Sequence, residues 1–90
     1  MQEARVTIQN KLGLHARPAT AFVTVAQEFQ SSITVRRSDA DELIDGKSIM
    51  MLMMLGATKG TELVICTEGS DDTEAIKALV QLVMSNFDEE

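Results

Sequence analysis

The 90-residue chain is poor in cysteine, proline and aromatics: one Cys, one Pro, three Phe, and neither Trp nor Tyr. Cys66 alone cannot close an internal disulfide, and with His15 as the one histidine there are too few soft ligands for a zinc site. Disulfide scaffolds and zinc modules are therefore excluded. The shortage of aromatics removes base-stacking platforms, and Lys and Arg are not clustered as phosphate neutralisation demands, so nucleic-acid binding is disfavoured. No run approaches the ~18 apolar residues of a membrane span, and Met1-Gln2-Glu3-Ala4-Arg5 lacks the basic start and apolar stretch of a secretory leader. The expectation is a soluble, cytoplasmic protein without membrane insertion, metal or cofactor.

What the chain does have is globular composition, with 44% hydrophobic and 24% charged residues, at a length suited to one domain over residues 1–90. The net charge of −6 is unevenly placed. Residues 68–90 set Glu68, Asp71, Asp72, Glu74, Asp88, Glu89 and Glu90 against Lys77 alone, which reads as a solvated acidic face. The preceding residues are balanced in charge, so they can carry a local basic patch on an acidic protein.

No linker, low-complexity segment or repeat interrupts an alternation of strands and helices. Arg5-Val6-Thr7-Ile8 alternates at period two, with Ala4, Val6 and Ile8 on one face, and forms a first strand. Gly13 helps to end it. Ala19, Phe22, Val23, Ala26 and Phe29 then recur at helical spacing, predicting a helix from about Ala16 to Gln27. Ser32-Ile33-Thr34-Val35-Arg36 alternates again, Ser38-Asp39-Ala40-Asp41 is turn chemistry, and Glu42-Leu43-Ile44 offers a short return strand. Gly46-Lys47-Ser48 introduces an apolar block, Ile49 to Leu55, closed by Gly56 in the position past a helix end. In that short helix Leu52 and Leu55, with one or two methionines, are expected to face the core.

Thr61 to Thr67 is dense in strand formers, and its near-continuous apolar character predicts a central strand buried on both faces. Ser70 or Asp71 can cap a last helix, with Glu74 in capping-box position after Asp71. Ile76, Leu79, Val80, Val83 and Phe87 form its apolar stripe. The predicted order is β-α-β-β-α-β-α, an α+β open-faced sandwich with three helices on one face of a four-stranded, largely antiparallel sheet.

His15 stands where a loop becomes the first helix. Pro18 belongs in a helix first turn, so His15 falls at or near the N-cap. The N–H groups of Ala16 and Arg17 then point out of the helix end with the positive end of its dipole. Arg17 adds a guanidinium that pairs bidentately with phosphate oxygens, and Gly13 lets the backbone bend close. An imidazole beside such a cradle can accept a phosphoryl group and give it away. Taken alone, however, a single histidine near a helix start is more often a surface or capping residue, and Ser48 by itself reads as a cap.

The string Gly13-Leu14-His15-Ala16-Arg17-Pro18-Ala19 closely resembles the active-site signature of HPr, the histidine-containing phosphocarrier family of the phosphoenolpyruvate-dependent sugar phosphotransferase system. A second block, Gly46-Lys47-Ser48-Ile49-Met50 through Leu55-Gly56 and Lys59-Gly60, resembles the family's regulatory serine region and second helix. The resemblance covers essentially the whole chain. It implies that His15 takes phosphate from phospho-enzyme I on Nδ1 and passes it to a sugar-specific enzyme IIA. Arg17 would contact that phosphate, and Ala16 with Arg17 would supply backbone donors. It also implies that in some bacteria an HPr kinase/phosphorylase modifies the serine at the position of Ser48, and that Lys47, Ile49 and Met50 belong to the docking surface. A carrier that shows one face to successive partners is expected to be monomeric, and to bear a transient phosphohistidine rather than turn over as an enzyme.

Two departures from the family pattern stand out. Residues 36–45 look longer than its usual hairpin, and Met51 stands where many relatives have Gly or a polar residue. Other readings stay open. A nitrogen-related or otherwise regulatory branch of the same system would keep His15. A corepressor-type interaction protein would work through Ser48. A small-ligand regulatory domain could share the β-α-β-β-α-β order.

Overall fold

The computed structural model describes residues 1–88, so Glu89 and Glu90 of the acidic run lie outside the described residues. Strands β1 (Gln2–Thr7), β2 (Ser32–Arg37), β3 (Ile44–Asp45) and β4 (Glu62–Glu68) form one sheet in the order β1-β4-β2-β3. Every neighbouring pair is antiparallel. Helices α1 (Ala16–Ala26), α2 (Ile49–Met54) and α3 (Asp72–Met84) complete the predicted β-α-β-β-α-β-α order, and a 3-10 turn at Asn86–Asp88 follows.

The period-two patterning of the strands becomes rows across the sheet. Ala4 pairs with Ile65, Ile65 with Val35, and Val35 with Ile44. With Val6, Leu63 and Ile33 these side chains meet Phe22, Leu52, Leu79 and Val83 in one core, so the helices cover one face. β4 is central, as predicted, and its predicted burial on both faces holds at Val64 but not along the whole strand. Val64 and Cys66 alternate onto the other face, where Cys66 is half-buried. Val64 is fully covered between its register partners Arg5 and Arg36. Long arginine stems can shelter an apolar residue on a solvent-side face, so a continuous apolar run did not require a second core.

Three other boundaries differ. β1 starts earlier, at Gln2, and Ile8 lies just past it, held by Ile8 N–H to Thr61 O (2.9 Å) and Gly60 N–H to Ile8 O (2.7 Å). β3 shrinks to two residues, leaving Glu42 and Leu43 in the connection. That connection is held by side chains instead of a ladder: Arg36 donates to Ala40 O (3.2 Å), and Arg37 pairs with Asp39 (3.1 Å). Arg37 also donates to Leu55 O (3.3 Å) and Gly56 O (3.2 Å), fixing the end of α2, where Gly56 takes the left-handed φ of 67° its position predicted.

In α2 only Leu52 is buried and Leu55 beyond it is half-buried, so the expectation that a methionine joins them in the core is corrected. A helix this short turns one narrow stripe inward. The expected capping box of α3 is also corrected. Asp71 stands at the N-cap, where its carbonyl accepts from Ala75 N–H (2.9 Å) but its side chain makes no bond to the helix start. Its carboxylate instead accepts from Gln30 N–H (2.9 Å), Ser31 N–H (3.0 Å) and the Ser31 hydroxyl, tying the exit of α1 to the start of α3. Leu82 is buried where Val80 is half-buried. Phe87 is in the core by a different route than a helical stripe: α3 ends at Met84, and Asn86, Phe87 and Asp88 adopt φ of 56°, 58° and 60°. Such conformations are unfavourable outside glycine, and here the buried Phe87 ring and the Ser85 hydroxyl bonds to Leu82 O (3.0 Å) and Asp88 Oδ1 (3.1 Å) oppose that cost.

Candidate functional site

The loop before α1 is built to hold one shape. Asn10 is buried and its Nδ2 donates to Gly13 O (2.7 Å), while Gly13 N–H returns to Asn10 O (3.2 Å). Gly13 has a φ of 73°, and a Cβ there would run into the Ala57 carbonyl and lie 2.8 Å from Thr58 Cα, so only glycine fits. Leu14 then buries its side chain and donates its N–H to Ala57 O (2.9 Å). The first sequence block is thereby fastened to the end of the second.

His15 follows as the N-cap of α1, in extended conformation at φ −88° and ψ −166°. Its carbonyl accepts from Ala19 N–H (2.9 Å), its N–H donates to Gly13 O (3.0 Å), and its half-buried side chain makes no bond of the capping type to the helix start. Pro18 is buried in the first turn and has no N–H to satisfy. Ala16 and Arg17 stand where a helix has no carbonyl one turn back to receive their N–H groups, and both are exposed. His15, Ala16 and Arg17 line one open depression together with Asn10, Lys11, Leu12 and Asp88.

Lys11, Leu12 and Asp88 carry no motif signal and were not singled out from the sequence. Asp88 arrives through the left-handed turn that buries Phe87, a fold of non-glycine residues that no local pattern announces. The proximity of Lys11 and Leu12 to His15 in the chain was the available signal for those two. The depression thus carries the cationic side chains of Lys11 and Arg17 and the carboxylate of Asp88 around the imidazole.

Ser48 is the N-cap of α2 and its Oγ accepts from Met51 N–H (3.2 Å). Lys47 donates its Nζ to Phe29 O (2.8 Å) and its N–H to Asp45 Oδ1 (2.9 Å). Phe29 lies beyond the far end of α1, whereas Leu14, bonded to Ala57, lies before its start. α1 and α2 are therefore antiparallel neighbours, with the C-terminal end of α2 toward His15. An 11-residue helix is ~16 Å long, so the structure does not bring Lys47 or Ser48 to the imidazole. Ile49 and Met50 are exposed on α2 beside Ser48, and Met53 and Met54 are exposed closer to the His15 end.

Among the described residues no group of three or more His, Cys, Asp or Glu side chains is placed to hold a metal ion, and no helix is long and apolar enough to cross a membrane.

Known proteins resemble this chain over nearly its whole length. A family model for the PTS HPr component phosphorylation site matches residues 2–85. The chain is 51% identical over 89 residues to phosphocarrier protein HPr of Pseudomonas putida, covering 99% of this chain and 98% of the relative. It is 38% identical over 89 residues to phosphocarrier protein NPr of Proteus mirabilis, covering 99% of this chain and 98% of that one. The crystal structure of HPr-C-His from Thermoanaerobacter tengcongensis superposes with a TM-score of 0.92 at 47% identity, covering 100% of this chain and 99% of the other. The family match, the sequence identity and the shared fold together establish that this chain belongs to the HPr family of phosphotransferase-system phosphocarriers.

Proposed function

We propose that His15 accepts a phosphoryl group on Nδ1 from the phosphohistidine of enzyme I and passes it to an enzyme IIA. The observation that carries this reading is the position of His15 at the N-cap of α1, in one depression with the backbone of Ala16 and the guanidinium of Arg17. The nitrogen lone pair attacks phosphorus, the N–P bond in the donor breaks, and the donor imidazole leaves with the bonding pair. Charge on the phosphoryl oxygens is met by the outward N–H groups, the helix dipole and Arg17. The site is open, so the group is held by a few exposed contacts and can be surrendered to the next imidazole. The protein is a cytoplasmic carrier with a transient phosphohistidine, working as a monomer and needing no cofactor.

Docking uses the exposed side of α1 and α2. Lys47, Ile49 and Met50 belong to this surface by family resemblance, and the antiparallel packing places Met53 and Met54 on the same helix nearer the site. Phosphorylation of Ser48 by an HPr kinase/phosphorylase would replace a neutral cap with about −2 charge at pH 7 on a face that meets partners. A second reading has specific support: the 38% identity to a protein named NPr favours keeping a regulatory, nitrogen-related branch beside the sugar branch. Both use His15.

Intact mass after incubation with phosphoenolpyruvate and enzyme I tests the carrier step. One acid-labile phosphate on the native protein, absent from His15→Ala, is expected. An unchanged mass with enzyme I proteins of both branches overturns it. Parallel incubations with the sugar-branch and nitrogen-branch enzyme I separate the two readings by rate.

A further inference from the structure

The chain has six methionines, and Met50, Met51, Met53 and Met54 are four of the six residues of α2. The helix has no polar side chain. Leu52, 1% exposed, marks its inward direction. Met50 and Met54, four residues apart, stand on the opposite side at 74% and 78% exposure, and Met53 joins them three residues from Met50. Met51 flanks them, lining a small recess with Met54, Ile44, Leu55 and Arg37. Nothing in the packing of α2 calls for methionine at its two most exposed positions, where Lys, Glu or Gln would favour the helix as well and water better. Their thioethers are open to small solutes, and they lie on the helix whose C-terminal end approaches His15.

We propose that Met50, Met53 and Met54, with Met51 at their flank, are an oxidation site through which peroxide-class oxidants weaken the docking of phosphoryl-exchanging partners. The inference rests on the carrier reading above. In the reaction a thioether lone pair attacks the peroxide, the O–O bond breaks, an S–O bond forms and water leaves. Sulfur is oxidised by two electrons to the sulfoxide and the peroxide is reduced. The product exchanges a flexible apolar group for a strong hydrogen-bond acceptor, which resists burial against an apolar partner surface unless it finds a donor. Several such groups on one face are expected to slow phosphoryl transfer about tenfold at partner concentrations below saturation. Methionine sulfoxide reductases reverse the change.

The molecule supplies its own controls. Met1 and Met84 are also exposed, at 76% and 72%, but lie outside α2. Met84 borders Arg5, Val6 and Thr7 at the C-terminal end of α3, in a recess that does not include α2. Cys66 is half-buried on the open face of the sheet, and its lower oxidation products are removed by dithiothreitol, which leaves sulfoxides in place.

The test treats the full chain with hydrogen peroxide, then dithiothreitol, and maps added oxygen by peptide mass. The rate of phosphate acceptance from phospho-enzyme I is then measured, each protein relative to its own untreated rate. Expected are sulfoxides at Met50, Met53 and Met54, an approximately tenfold lower rate, and recovery with the reductases. The variant M50L/M51L/M53L/M54L is expected to resist, and Met84→Leu to lose rate like the native protein. Met50→Gln with Met54→Gln should slow transfer without oxidant, while far-UV circular dichroism reports whether each variant is folded. An oxidised protein that transfers at full rate, or a quadruple variant that loses rate as the native chain does, overturns the proposal. If the untreated protein accepts no phosphate, the carrier reading and the docking consequence both fall, and the oxygen map still decides whether the four methionines are the modified set.

Discussion

Helices α1 and α2 are both rich in apolar residues, and they use them in opposite ways. α1 buries Pro18, Ala19, Phe22, Val23 and Ala26, so most of its apolar residues face the core and its start is fixed by the Asn10–Gly13 loop. α2 buries Leu52 alone and presents Ile49 and four methionines to solvent. Length explains much of the difference: 11 residues give a complete inward stripe, whereas 6 give one inward position and an outward majority. The lesson is that apolar content does not locate a core; spacing within an element long enough to repeat it does. The Asn10–Gly13 loop thus fixes the backbone that leads to His15, while α2 offers an apolar face held by one buried side chain; under the proposed carrier function the first would seat the imidazole and the second would meet partners.

The comparison breaks most visibly in the core. Phe22→Ala is expected to cost about 3–5 kcal/mol in urea unfolding. Met54→Ala on the exposed face is expected to stay within about 0.5 kcal/mol. Comparable losses from the two would contradict the assignment of α1 as anchored and α2 as a surface. Gly13→Ala comes next: the left-handed φ and the approach of Ala57 predict a loss of more than about 1 kcal/mol. Because the strain falls two residues from His15, phosphate acceptance should slow as well, which a substitution acting on stability alone would not cause in the folded fraction.

Ser48→Ala removes the one side-chain cap of α2 and is expected to cost about 1 kcal/mol, seen as faster amide exchange in α2 with α1 unchanged. A smaller effect separates the helices by pH. The Ser31 hydroxyl and the backbone N–H groups of Gln30 and Ser31 hold the Asp71 carboxyl below its ordinary range. A depressed folded value means that the contribution is complete above the ordinary carboxylate range and is lost as pH falls through the folded value. Acidification should therefore loosen the exit of α1 in amide-exchange measurements before the hydroxyl-capped start of α2. Asp71→Asn should flatten that dependence, and an unchanged acid profile would remove Asp71 as its source.

Much of the fold was legible because patterning and packing agree. The alternation in Ile33–Val35 and the spacing of Phe22, Val23 and Ala26 gave strand, helix and face together. The misses share a cause: long-range partners took over groups that local rules had assigned. Asp71 has the spacing of a capping box, yet Gln30 and Ser31 claim its carboxylate. Val64 reads as core, yet its register places it between two arginines on the other face. Phe87 falls on a helical stripe, yet the helix stops at Met84 and a left-handed turn delivers the ring. At the site, Pro18 marks where the helix begins and so places His15 at the N-cap, but it is the resemblance of Gly13 to Ala19 to the HPr signature that singles out His15, Ala16 and Arg17. Asp88 was not legible, since its position depends on that same unannounced turn.

The most direct test of the account is phosphorus-31 NMR of the protein after reaction with phospho-enzyme I, with through-bond correlation to the imidazole protons. The account predicts a phosphoramidate resonance coupled to the ring of His15, lost in His15→Ala and discharged on adding an enzyme IIA. A phosphate found on Ser48, or no phosphoramidate after reaction with an active donor, would contradict it.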